Sequence, residues 1–577
     1  MKTLFRILSV AALSLAVSCS SAGSGKTVYL ADFLTDEAAQ TDAVPAVRAA
    51  LEKCAATGAT TLVLPGGVLR MRPELAVEKY QFISNNDESL KRIAFELAGF
   101  DGLTIEGNGT ELLFTGFVSP FNIENSRNIT VRDLKIDYTR TFNSEGVIVD
   151  KGSGWLEIKF PDDYVYEIHN GILRFRDSEG TIYPYSNLLE FDAEKREPAF
   201  HANDFWLWGG GIQADKLPNG NVRIKRDDLT GTIGNVLVFG ASARYNPCFT
   251  LYEADGVTIE NVDIYHCGGM GVIAQCSRDI ELNNVNVTTA PGKNRMISIT
   301  ADATHFVNCG GYIRMINCLF ENQKDDATNI HGLYMPVERV AGDSKLLLRW
   351  RNSGQYGVDF LKAGTKVEIV SNDTLGAYAH RIVKNVNRLN KLYTEVEFTE
   401  PLPEGVAQRH LVAADDAYPE VLIKGCTIRS NRARGLLLGS RNRMVIEDNY
   451  FHSAGAAILF EGDGNYWYEQ SGVRDVLITG NLFENGNYGC FGWGKACIAV
   501  GSGIPNHKET RYHRNIRVEK NTFRVFDPRL IYLYCVNGFT FTADNVVEKT
   551  DAYPYVLDEQ RHFVAEDCDN INIEYKE

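Results

Sequence analysis

A short unit recurs along most of this chain, and a recurring unit limits the possible folds more tightly than composition does. Alternating β-branched or aliphatic residues are followed by Asn, then by an aliphatic or aromatic residue. The unit reads Val257-Thr-Ile259-Glu-Asn261-Val-Asp-Ile264, then Ile280-Glu-Leu282-Asn-Asn284-Val-Asn-Val287. It returns as Ile313-Arg-Met315-Ile-Asn317-Cys-Leu-Phe320, Val445-Ile446-Glu-Asp-Asn449-Tyr-Phe451, Val476-Leu-Ile478-Thr-Gly-Asn481-Leu-Phe483 and Ile516-Arg-Val518-Glu-Lys-Asn521-Thr-Phe523, with fainter copies at Leu103 and Ile129. Asn261 and Asn284 lie 23 residues apart, about one coil of a parallel β-helix.

Each coil of such a solenoid turns alternate residues inward, so Val, Ile and Phe stack into one continuous core. The bends between strands need left-handed backbone, which Asn and Gly tolerate. A β-sandwich also alternates but does not repeat Asn at matched offsets. The expected fold class is therefore all-β, a right-handed parallel β-helix. An open solenoid end must be covered. A helix from about Val44 to Ala55, capped by Thr41 or Asp42 and followed by the strand at Thr61, reads as that cover.

Two stretches break the repeat with longer hairpin strands, each the size of a small β-barrel or sandwich. This divides the chain into a cap with first coils (25–141), an insertion (142–245), central coils (246–332), a second insertion (333–418) and final coils (419–577). Insertions in a solenoid emerge on one face and often shape its binding cleft.

Among the 577 residues, 74 acidic against 59 basic side chains leave a net charge of −15, and there is no long basic run. Nucleic-acid affinity rests on phosphate neutralisation, so a nucleic-acid partner is not expected. Lys2 and Arg6 precede an apolar core from Ile7 to Val17, too short to stay in a membrane. Leu15-Ala16-Val17-Ser18-Cys19 resembles a bacterial lipoprotein signal, with Cys19 lipidated and ordinary cleavage nearby as the alternative. The expectation is an exported protein anchored by lipid alone; the lack of an acidic run after Cys19 points to the periplasmic face rather than the cell surface. The eleven later cysteines show no CxxC or zinc spacing, and several sit in apolar strands as small buried side chains.

The sharpest chemical signal lies between the insertions. Ala301-Asp302-Ala303-Thr304-His305-Phe306 aligns with Asp325-Asp326-Ala327-Thr328-Asn329-Ile330 so that Asp302 and Asp326 are 24 residues apart, one coil. The two aspartates then occupy equivalent places on adjacent coils, with Asp325 beside them. Crowded carboxyls resist joint ionisation, which leaves one protonated beside an ionised neighbour. That pair is what glycosidic cleavage requires. Solvated turn aspartates are the bland alternative, and that is the reading for Asp415-Asp416, which has no stacked partner.

With these residues in place, the chain resembles glycoside hydrolase family 110, the exo-acting α-1,3-galactosidases that remove the blood-group-B determinant. The resemblance covers nearly the whole mature chain and includes Glu461 with Gly462-Asp-Gly-Asn-Tyr-Trp467-Tyr-Glu469. It implies two inserted β-barrels and inverting hydrolysis of terminal α-1,3-galactose, from blood-group-B-type or linear glycans, without metal or organic cofactor. Asp302, Asp325 and Asp326 would supply acid and base. Trp467 would stack on the sugar, unless it only plugs a corner between coils. Arg434, Glu461 and Glu469 would bond its hydroxyls, with an outward-facing charge as the alternative for Arg434, and His305 and His331 would hydrogen-bond structurally. The inserted barrels offer surfaces for a homodimer.

Two other readings compete. Polygalacturonases share the β-helix and an aspartate trio but normally add Gly-His-Gly and Arg-Ile-Lys motifs, missing from the cleft region here. A non-catalytic glycan-binding surface lipoprotein would need no crowded carboxylates. Fold alone does not separate these.

Overall fold

The computed structural model describes residues 26–86, 89–209 and 211–575. The signal segment and Cys19 lie outside the described residues. Coils stack into two long sheets of parallel strands, one of 20 strands and one of 13, the latter with antiparallel pairs at two places.

The register shows why the repeat folds this way. Strand Asp255–Ile264 pairs in parallel with Arg127–Tyr138 on one side and Arg278–Val287 on the other. Val257 thereby lies between Ile129 and Ile280, Ile259 between Val131 and Leu282, and Val262 between Leu134 and Val285. All nine are buried. Phenylalanines stack too: Phe451 on Phe483 at 5.0 Å and Phe483 on Phe523 at 4.8 Å between ring centroids. Removing such apolar area from water stabilises the fold by about 25 cal/mol per Å².

The Asn of the repeat turns out to serve two purposes. Asn261, Asn284 and Asn317 have φ near +50° and make the left-handed bend themselves. In the later coils Asp448, Gly480 and Lys520 make that bend. The Asn that follows each of them is buried instead, forming a ladder through Asn449, Asn481, Asn521 and Asn545 with side-chain bonds of 2.9–3.0 Å. The coil keeps its length, with five residues from Ile259 to Ile264 and from Ile446 to Phe451, so moving Asn one position along the coil takes it from the bend to the interior.

The helix Val44–Thr57 covers the N-terminal end, burying Val44, Val47, Leu51 and Cys54. Its N-cap residue is Ala43, and a separate helix Asp36–Thr41, capped by Thr35, precedes it. Asp42 still accepts a bond from the Val44 N–H at 3.1 Å. The eleven described cysteines are all unpaired, eight of them buried.

Between strands Ser144–Gly152 and Val236–Ala241 an eleven-stranded antiparallel sheet leaves the solenoid. Between Met335–Gly342 and Leu411–Ala414 a six-stranded closed barrel does the same. The barrel sits on the coils: Val307, on the outward side of strand Thr304–Val307, shares its core with Val337, Leu348, Trp350 and Val412. Its neighbour Phe306 lies in the solenoid core. Outward residues of the central coils are therefore buried under the insertion.

Candidate active site

Strands Thr304–Val307 and Thr328–Leu333 pair with Thr304 beside Thr328, so the one-coil alignment of Asp302 with Asp326 is the actual register. Both aspartates stand on the bends that enter these strands, and the Ala303 N–H donates to the Asp326 carbonyl at 2.9 Å. Asp302, Asp325, Asp326, Arg434, Glu461, Trp467 and Glu469 all line one cavity of about 430 Å³, within the range of small-molecule sites.

The three carboxyls have different partners. Asp302 is 3% exposed, with its Oδ2 2.5 Å from His305 Nδ1. Burial, reinforced by the charge of Asp325, pushes it up to about 7. Asp325 is gripped by arginines, with Arg432 donating to Oδ1 at 3.1 Å and Arg244 to Oδ2. Burial alone would raise Asp325, but Arg432, Arg244 and Arg434 hold it below the usual carboxylate range. Asp326 accepts the Arg434 backbone N–H at 2.9 Å and its guanidinium at 2.8 Å. A protonated acid thus stands one coil away from an ionised carboxylate.

Ala433, between the two arginines, has φ +68°, a region alanine seldom occupies. This bend sends Arg432 to Asp325 and Arg434 to Asp326. The Nε of Arg434 and the Oδ1 of Asn329 are buried on the cavity wall without a protein partner, positioned as donor and acceptor for hydroxyls. Trp467 is half exposed at the rim. Asp463 holds its loop by accepting the N–H groups of Asn465 at 2.8 Å, Tyr466 at 2.7 Å and Trp467.

The chain matches the families described as GLAA-B beta-barrel domain I over residues 144–237, GLAA-B beta-barrel domain II over 345–412, and right handed beta helix region over 411–570. It is 32% identical to an alpha-1,3-galactosidase A of Shewanella woodyi, over 95% of this chain and 90% of the relative. The chain belongs to the α-1,3-galactosidases, glycoside hydrolase family 110. Alpha-1,3-galactosidase A of Bacteroides fragilis is 30% identical over 95% of this chain and 91% of its own length. Alpha-1,3-galactosidase B of Bacteroides thetaiotaomicron is 29% identical over 96% and 91%.

As a family-110 glycoside hydrolase, the chain builds its cavity from more residues than the sequence reading selected. Trp206, Asn187 and Arg244 reach in from the first insertion or its exit, and Asn352 to Gly354 from the second. Lys324, buried and pulled by that burial down to about 8, donates to Asn187. Arg432 ties the parts together: it bonds Asp325 and Asp204, at 2.5 Å to the latter, and lies over the Trp206 and Trp493 rings. Arg432 and Arg434 sit two residues apart on one bend, which was a readable cue; Arg244 and Trp206, remote in sequence, had none. Asp415 lies outside the cavity, paired with His380 at 2.8 Å.

Proposed function

We propose that this hydrolase removes terminal α-1,3-linked galactose from glycans, blood-group-B-type or linear, with inversion of the anomeric carbon. The family supports the sugar and the linkage. The observation that carries the chemistry is the raised Asp302 beside the arginine-held Asp325 in one cavity. One carboxyl of the Asp302, Asp325 and Asp326 set protonates the leaving oxygen while another takes a proton from water. Trp467 offers a ring face to the apolar side of galactose. Glu461, Glu469, Arg434 and Asn329 meet its hydroxyls.

The test is galactose release from the fucosylated blood-group-B trisaccharide and from linear α-1,3-galactosyl lactosamine. Wild type should cleave at least one, and Asp302→Asn, Asp325→Asn and Asp326→Asn should each lose about 100-fold or more in kcat. Proton NMR of the first product should show β-galactose; α-galactose would overturn inversion. Rescue with an aryl α-galactoside that needs no protonation marks the acid, and rescue by azide marks the base.

We further read the N-terminal segment as a lipoprotein signal that exports the chain and anchors it at Cys19. Radiolabelled palmitate should enter the wild type and not Cys19→Ala; equal labelling would sink the anchor.

A further inference from the structure

We propose that Asp302, His305 and His331 hold one shared, mobile proton, which makes both histidines positioning residues for Asp302. This rests on the reading above in which Asp302 belongs to the acid–base set.

The argument is a count of protons. Three contacts run in series: Asp302 Oδ2 to His305 Nδ1 at 2.5 Å, His305 Nε2 to His331 Nε2 at 2.9 Å, and His331 Nδ1 to the Gly332 carbonyl at 2.7 Å. Each hydrogen bond needs one proton, and a carbonyl has none to give. Two neutral imidazoles bring only two. The Gly332 carbonyl requires the proton on His331 Nδ1, which leaves His331 Nε2 a lone pair. His305 must then donate through Nε2, so its Nδ1 is also a lone pair. The proton in the first contact therefore comes from the Asp302 carboxyl. With two protons instead of three, one contact would face lone pair against lone pair.

The third proton has a second home. If the Asp302 O–H breaks as Nδ1–H forms on His305, and the His305 Nε2–H breaks as Nε2–H forms on His331, all three bonds survive in reverse polarity. The result is a carboxylate and an imidazolium with no net charge added. Glu469 Oε1 lies 3.6 Å from His331 Nε2, placed to receive that charge. Around Asp302, Arg244 and Arg434 favour the carboxylate form, while burial, Asp325 and Glu469 oppose it; Asp326, itself pushed well above the usual carboxylate range by burial, faces it as a neutral acid. Burial keeps both imidazoles low, His305 at about 4, so the resting proton lies on Asp302. Asp302 and both rings are almost solvent-free, at 3%, 1% and 5% exposed. The array thus lets Asp302 appear as acid or as carboxylate without a proton from bulk water.

The experiment is nitrogen-15 NMR of the full chain labelled at its imidazoles, with His305→Gln and His331→Gln for assignment. At pH 6 the expected tautomers are Nε2–H on His305 and Nδ1–H on His331. Raising pH through about 7 should change both rings together with one midpoint. Nδ1–H on His305 at pH 6, or two separate midpoints, overturns the proposal. Asp302→Asn gives a second reading should either histidine variant not fold: its amide N–H replaces the acid O–H, so the tautomers stay and the common midpoint vanishes from both rings. A midpoint that persists overturns the shared proton. In kinetics, folded His331→Gln should move the pH limb governed by Asp302 by about one unit and change kcat more than KM; an unmoved limb counts against it. If no α-galactoside is cleaved by wild type, the hydrolase reading fails while the NMR still decides the proton array.

Discussion

Asp325 shows how far a single side chain is defined by its neighbours. Both its oxygens face guanidinium groups, from Arg432 and Arg244, and these outweigh the burial that would otherwise keep it protonated. Arg432→Met removes one cation and leaves Asp204 without its partner. The titration of Asp325 should then rise, and the limb of the kcat–pH profile it governs should move to higher pH by about one unit or more. A limb that stays in place would show that Asp325 does not titrate in the rate-determining step. At the same scale Arg434 is a double anchor: its backbone N–H and one side-chain N–H occupy both oxygens of Asp326, and its Nε is buried with no protein partner.

At the scale of the element, the asparagine ladder is the clearest dependency. Asn481 Oδ1 accepts the Asn449 N–H and side-chain amide, both at 2.9 Å, and Asn481 in turn donates to Asn521, Ile446 and Thr479. Asn481→Ala leaves several of these buried groups without partners, at about 1–3 kcal/mol each before relaxation. A clear fall in Tm is expected, larger than for Asn261→Ala, whose amide lies on the exposed bend and bonds Asp133 at 3.0 Å. Equal shifts in the two variants would argue against the ladder as a structural element. Phe483→Ala, which breaks the stack between Phe451 and Phe523, should cost about 3–5 kcal/mol.

For the whole molecule, stability against pH follows from buried titrating groups. Burial depresses His266 and His513 to about 3 and His305 to about 4. A depressed imidazole contributes stability that is present above its unfolded value of about 6.5 and is lost as pH falls through the folded one, at about 1.4 kcal/mol per unit and group. Asp302 and Glu145, both raised to about 7, work the other way. Their contribution is full below about pH 4 and is lost as pH rises through 7. Between those limits the two sets largely offset each other. Below about pH 4 the imidazole loss is joined by the arginine-held Asp137 and Asp325, both below their usual range, so stability should fall steeply. Thermal unfolding from pH 3 to 8 checks this; a Tm that stays level down to pH 3 would contradict the neutral buried histidines.

The sequence by itself determined the solenoid, because inward alternation and one-coil spacing are local and periodic: Val257, Ile259 and Val262 declare their stacking partners 23 residues on. It also determined the Asp302–Asp326 alignment, since register follows from that same period, and it marked the two places where the period stops. Only the tertiary structure decided what the carboxyls are. The protonation of Asp302 depends on burial and on the nearby charge of Asp325, with His305 against its carboxyl. The charge of Asp325 depends on Arg244 from the exit of the other insertion and on Arg432 turned by the Ala433 bend. Likewise, the difference between Asn261 as a bend and Asn481 as a ladder rung rests on one residue of offset in the coil. Periodicity records which residues face inward. Electrostatics depends on distances across the fold, and those distances are set where separate segments converge.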